Sequence, residues 1–257
     1  MEIICPHTFL APLDAAVLDF DGTLSNLRAG WENVMGPLMC ELIPGEEDEV
    51  RELVTRYIDE STGIQTIHQM RWLAEEIDRR GGHAEDPWFY KDEYNRRQML
   101  ELQLRRDAVA CGQEPAEAYL IPGGIEFLTA LRESGVTLYA ASGTDTDDVR
   151  AEAEVLGLDG FFAEIMGAER STDRCSKEAV LRRLVVPGSR LLVVGDGKVE
   201  IALGREAGAL TLGIASEDTP GCTSSSYNMR KYRRLKAAGA HAIAADFTEW
   251  KEILSWI

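Results

Sequence analysis

Three aspartates stand at or just beyond the ends of short apolar runs. Asp19 and Asp21 follow Ala15-Ala16-Val17-Leu18, and Asp196 follows Leu191-Leu192-Val193-Val194-Gly195. In an extended chain residues two apart point the same way, so Asp19 and Asp21 share a direction and Phe20 opposes them. Neighbouring carboxylates repel unless a cation or a shared proton offsets the charge. With Asp196 they form a set of hard oxygen donors suited to magnesium, which takes a few carboxylates and fills its other positions with water and substrate phosphate. Once the repulsion is offset, one carboxylate can attack phosphorus and form an aspartyl phosphate. The other can protonate the leaving oxygen and then deprotonate water. Phosphoryl transfer also needs donors around the equatorial oxygens. The Ser142 hydroxyl, the Gly143 amide, the turn amides at Gly22 and Thr23, and one lysine are the candidates.

These residues need elements that bring them to one edge. Each acidic run reads as a buried strand closed by a Gly-containing turn, and 136–141 running into Ser142-Gly143-Thr144 has the same grammar. Further strands are expected at 163–166, 209–214 and 240–244. Helical patterns at 125–134, 147–156, 177–184 and 200–206 separate them, with Gly135 and Gly157 as C-terminal caps of the first two. Alternation of this kind implies right-handed βαβ units and an α/β, doubly wound parallel sheet. Ligands bind such sheets beyond the carboxyl ends of the strands, where all three motif-bearing turns fall. Residues 26–117 break the alternation: rich in Glu, Arg, Gln and Leu, they read as several helices punctuated by Gly81-Gly82 and Asp86-Pro87. The expected organisation is a core of 1–25 and 118–257 with a helical insertion at 26–117.

At 257 residues, 45% hydrophobic and 28% charged, the chain can bury a full core. Its formal net charge of -17 disfavours nucleic acid, whose affinity depends on a basic surface. The basic segment from Arg230 to Lys236 is therefore read as a solvated helix. Cys5, Cys40, Cys111, Cys175 and Cys222 are scattered without a C-x-x-C pair, as in a reduced intracellular protein whose thiols are small buried hydrophobes. No basic start followed by an apolar run and no membrane-length apolar stretch is seen, so a soluble, cytoplasmic protein is expected. His7, His68, His83 and His241 have no metal-ligand spacing.

Asp19-Phe20-Asp21-Gly22-Thr23-Leu24 resembles the first motif of the haloacid dehalogenase (HAD) superfamily, and Ser142 at a strand end resembles the second. The lysine of the third motif is best matched by Lys177, with Lys198 as competitor, and Gly195-Asp196 with Glu200 resembles the fourth. The resemblance implies Asp19 as nucleophile, Asp21 as acid and base, and Ser142 and Lys177 on the phosphoryl group. Magnesium would be held by the side chains of Asp19 and Asp196 and the backbone carbonyl of Asp21. Glu200 stands where the family commonly has Asp, with a reach that extends to a metal-bound water or to Lys177. The position of the insertion resembles the helical-cap subgroup, which includes phosphoglycolate-type phosphatases and β-phosphoglucomutase. It implies a cap that closes over the site and reads the leaving group.

Gln65, His68, Gln69 and Trp72 follow i, i+3, i+4, i+7 spacing in the insertion. With Arg71 nearby, this face is either a substrate-reading surface or a solvated face with Trp72 packed on a neighbouring helix. The expected activity is magnesium-dependent hydrolysis of a small phosphate monoester such as a sugar or polyol phosphate. A phosphomutase and a non-catalytic binding protein of the same fold are the alternatives.

Overall fold

The computed structural model describes residues 1–6, 12–169, 176–217, 219–221 and 226–257. The chain opens with β1 (Glu2–Ile3) and β2 (Ala15–Leu18), followed by the helices α1 (Glu32–Leu42), α2 (Glu47–Ser61), α3 (Thr66–Arg79) and α4 (Pro87–Ala110). Alternation then begins with α5 (Gly124–Glu133), β3 (Thr137–Asp145), α6 (Thr146–Val155), β4 (Glu164–Ala168) and α7 (Ser176–Leu184). It continues through β5 (Leu191–Gly195), α8 (Lys198–Glu206), β6 (Leu210–Ile214), α9 (Met229–Ala237), β7 (Ala242–Ala244) and α10 (Trp250–Trp256).

The sheet order is β1-β7-β6-β5-β2-β3-β4. β2 lies between β3 and β5 and is parallel to both, and the chain builds outward from it in opposite directions. That reversal of winding puts the carboxyl ends of β2, β3 and β5 at the switch point of the sheet. Two details depart from expectation. β1, unread in the sequence, pairs antiparallel with β7, so the sheet is parallel except at one edge. β3 does not stop before Ser142: it runs through Ser142-Gly143-Thr144 to Asp145, with a register shift against β4 between Ala141 and Asp145.

Helices cover both faces of the sheet. On one face Val17, Leu191 and Val193 pack with Val180 and Leu181 of α7. Ile243, in register with them through β5 and β6, packs with Ile201 of α8 and Leu235 of α9 on that same face. α5 and α6, the crossovers on the other side of β2, pack against β3 from the opposite face. Burial of each such side chain contributes about 1.5–3 kcal/mol, which explains strands that are apolar throughout.

The chain forms two compact units, Met1–Ala29 with Ala108–Ile257, and Gly30–Asp107. The second unit has its own core, including Met39 of α1, Val54 of α2, Met70 and Leu73 of α3, and Tyr90 of α4. Asp86 caps α4, its carboxylate accepting from Trp88 N at 2.8 Å, and Pro87 takes the first helical position, where a missing N–H costs nothing. Trp72 stacks on Tyr57 of α2. Gln65 and Gln69 are not solvated: both are buried, and Gln69 donates to the Ser61 hydroxyl at 3.0 Å. His68 and Arg71 are half-buried and 3.3 Å apart.

Cys5 and Cys40 are half-buried and Cys111 is exposed, so these free thiols are not the fully buried hydrophobes expected; Cys175, Cys222 and His7 lie outside the described residues. Among the described residues no helix is long and apolar enough to cross a membrane.

Candidate active site

β2 delivers Asp19 and Asp21 to different surroundings. The Asp19 carboxylate is 6% exposed, with Oδ1 3.1 Å from Lys177 Nζ. The same ammonium donates to Glu200 Oε2 at 2.9 Å. Lys177 opens α7 and Glu200 lies in the first turn of α8, where it also accepts from the Gly197 amide. Lys198 is half-buried at the start of α8.

Asp21 is turned instead toward β3. Its Oδ2 accepts from the Ser142 hydroxyl at 2.9 Å and from the Thr144 hydroxyl at 2.8 Å. Its Oδ1 is buried without a hydrogen-bond partner. Ser142 and Thr144 act together because they are two apart on one extended strand, a period that the sequence itself carries. Ser142 accepts from Thr144 N at 2.9 Å, which fixes the pair. Gly143 lies half-buried between them.

The amides of Gly22 and Thr23 are not the free phosphate donors expected. Gly22 N–H donates to the Ser25 carbonyl at 2.8 Å and Thr23 N–H to that of Phe20 at 3.4 Å, because the chain closes a tight turn here. Gly22 has φ 73°, a left-handed conformation, and a Cβ there would overlap the Asp196 carboxylate. Its role is to let β2's turn approach Asp196.

Asp19, Asp196 and Glu200 each offer an oxygen within 4.8 Å of the others, all buried. Burial raises Asp19 well above the usual carboxylate range, Lys177 pulls it down, and Glu200, Asp196 and Asp21 push it up further. Lys177 is held charged: burial opposes its charge, but Asp19 and Glu200 outweigh it. Asp196 behaves oppositely to Asp19. Burial would raise it, and the cations of Lys231, Arg234 and Lys177 bring it below its ordinary value. Convergent buried carboxylate oxygens of this kind suit a small divalent cation.

Two cations of α9, Lys231 and Arg234, which their basic segment does not mark as site residues, flank Asp196. Lys231 Nζ is 2.9 Å from Asp196 Oδ2, and Arg234 Nη2 donates to the Asp196 carbonyl at 3.2 Å. The helix at 230–236 is therefore not simply solvated: Lys231 and Leu235, four apart, form its buried side, whereas Arg230, Arg233 and Lys236 are exposed.

Arg28 is a further neighbour of Asp21, with Nε 3.9 Å from Oδ1. Its guanidinium donates to Glu152 from Nη2 at 2.6 Å and from Nε at 3.0 Å, and reaches Asp148 at 3.4 Å. Burial pushes Glu152 up to about 7 against the pull of Arg28. Folded Glu152 thus holds its proton above the unfolded value of 4.5, and its contribution to stability is lost as pH rises from 4.5 through about 7. Urea unfolding should show the parent losing about 2–3 kcal/mol more than Glu152→Gln between pH 5 and pH 8. Parallel pH profiles for the two proteins would contradict this assignment.

The α/β sheet gathers buried carboxylates and a paired lysine at its switch point, the arrangement of an enzyme site. The chain belongs to the haloacid dehalogenase-like hydrolase family, whose model matches residues 13–208, and it is a phosphohydrolase. It is 26% identical over 201 residues to a phosphoglycolate phosphatase of Rhodospirillum rubrum, covering 76% of each chain. It is 25% identical over 203 residues to pyrophosphatase PpaX of Listeria innocua, covering 77% of this chain and 82% of the relative. Its fold is similar to that of a β-phosphoglucomutase from Clostridium difficile, with TM-score 0.58, 13% identity, and 95% and 97% of the two chains covered.

Proposed function

We propose that the protein hydrolyses a small phosphate monoester, of the sugar- or polyol-phosphate kind, through an aspartyl phosphate on Asp19 and with magnesium bound. The observation that carries this reading is the unequal placement of two aspartates two residues apart. Asp19 sits against Lys177 in the acid cluster, and Asp21 is held out of it by the Ser142 and Thr144 hydroxyls.

Asp19 and Asp196 would hold magnesium with the Asp21 carbonyl, and Glu200 lies close enough to contribute directly or through water. Bound there, the metal supplies positive charge against the phosphoryl oxygens. Asp19 attacks phosphorus while Lys177, anchored by Glu200, keeps the attacking carboxylate in place and meets the phosphoryl charge. The P–O ester bond breaks as Asp21 delivers a proton to the leaving oxygen. Oδ1 of Asp21, which has no hydrogen-bond partner, is the oxygen left to carry that proton. The Asp21 carboxylate then takes a proton from water as that water attacks the aspartyl phosphate, and inorganic phosphate leaves. The unit Gly30–Asp107 is proposed as the cap, within the expected 26–117, and Gln65, His68, Gln69 and Arg71 as residues that bear on substrate choice.

The test is phosphate release from a panel of sugar phosphates, polyol phosphates, phosphoglycolate and pyrophosphate, with magnesium and after its removal by chelation. Release from a monoester should fall about a hundredfold or more on chelation and return with magnesium. Turnover indifferent to chelation, or confined to pyrophosphate, would overturn the reading.

A further inference from the structure

Lys231 lies outside residues 13–208, the range matched by the family model, yet its ammonium belongs to the acid cluster. Its side chain is 5% exposed, and Nζ is 2.9 Å from Asp196 Oδ2, 3.4 Å from Ser216 Oγ and 3.5 Å from the Gly22 carbonyl. The approach is built. Asn228 caps α9 by accepting from Arg230 N and Lys231 N, so the lysine leaves the first turn of a fixed helix. Arg234, three residues on, ties the same helix to the Asp196 carbonyl at 3.2 Å. A Cβ on Gly22 would overlap Asp196 Oδ2 and lie 3.3 Å from Lys231 Nζ, so the glycine leaves room for this pair. A buried ammonium is costly unless paired, and this one is paired with the Asp196 carboxylate.

We propose that Lys231 is a positioning residue of the metal site: it holds one oxygen of Asp196, leaves the other for a divalent cation, and weakens the cluster's grip on that cation. The inference rests on the reading that Asp19, Asp196 and Glu200 hold a divalent metal. The three carboxylates of Asp19, Asp196 and Glu200 face the ammonium groups of Lys177 and Lys231, with the Arg234 guanidinium on the Asp196 carbonyl. Without Lys231 the cluster would hold a metal more tightly, because a fixed positive charge beside one donor repels any cation that approaches it. Lys231 thereby keeps the metal exchangeable and fixes the orientation in which Asp196 meets it.

The experiment is Mn²⁺ binding to the substrate-free protein, read by electron paramagnetic resonance of the free ion, for the parent, Lys231→Met and Lys231→Arg. Lys231→Met should bind Mn²⁺ about tenfold more tightly than the parent, and Lys231→Arg, which keeps the charge, within about threefold. The melting temperature of Lys231→Met should also rise more on adding saturating magnesium than that of the parent. If Lys231→Met fails to fold without metal, Arg234→Met removes the second cation on Asp196 and should tighten binding about threefold. Unchanged or weaker Mn²⁺ binding in the folded variant overturns the role given to Lys231 and leaves the metal reading intact. A parent that binds no Mn²⁺ at millimolar concentration overturns both.

Discussion

Replacing Asp19 with Asn is expected to lower phosphate release by about 10⁴-fold or more, the scale of loss when a covalent nucleophile is removed. Asn has nearly the same shape, so the expected defect is chemical. An amide oxygen cannot form the aspartyl phosphate, and no neighbouring carboxylate can replace it: Glu200 is tied to Lys177 and the Gly197 amide, and Asp21 to two hydroxyls. Stability should move the other way. Asp19 is a buried acid whose ionisation is opposed by burial and by three nearby carboxylates, so its anion is a liability in the metal-free fold. The metal-free Asp19→Asn protein should therefore melt no lower than the parent, and Lys177 keeps Glu200 as counter-ion. Retention of activity within tenfold would mean that the nucleophile lies elsewhere. Loss of activity with a collapse in melting temperature would mean that Asp19 is structural. Melting curves and phosphate release on the same preparations separate these outcomes.

Much of this arrangement is legible in the chain because strand ends carry their own punctuation. Leu191-Leu192-Val193-Val194 must be buried on both faces, and β5 takes in Gly195 and stops before Asp196-Gly197. Helix limits are equally local: Gly135 and Gly157, with φ 82° and 68°, stop α5 and α6 where the left-handed residue falls. What is not local is not legible. Ser142-Gly143-Thr144 has the composition of a turn, but neighbouring strands hold it extended through a register shift, and the pull of pairing exceeds local preference. The two-residue β1 has no periodicity to detect and exists only because β7 offers it an edge. Side-chain direction is likewise set by partners: nothing in Asp-Phe-Asp says that the second carboxylate will turn to two hydroxyls of β3. Lys231 is the extreme case. Within a run of basic residues it has no compositional mark, and its burial follows only from where α9 docks beside the carboxyl end of β5.

Replacing Asp21 with Asn is expected to produce a loss that depends on the leaving group, and this separates acid–base work from mere placement of charge. With an alkyl phosphate the departing alkoxide needs a proton, so phosphate release should fall by about 10²–10³-fold. With an aryl phosphate such as p-nitrophenyl phosphate the leaving oxygen is stable as an anion, and the first step should slow by about tenfold or less. The second step gains nothing from that substrate, because water must still lose a proton as it attacks the aspartyl phosphate. Rapid mixing of Asp21→Asn with p-nitrophenyl phosphate should therefore release close to one equivalent of p-nitrophenol per site, followed by slow turnover. The protein should then carry a hydroxylamine-sensitive acyl phosphate, lost if Asp19 is also replaced. The fold should tolerate the change, since an amide oxygen can still accept from Ser142 and Thr144, and Arg28 keeps Glu152 and Asp148 as partners. Equal losses on alkyl and aryl phosphates with no burst would assign Asp21 an electrostatic role only. The proton would then have to reach the leaving oxygen by another route, and the Ser142–Thr144 clasp would serve to hold a charge in place.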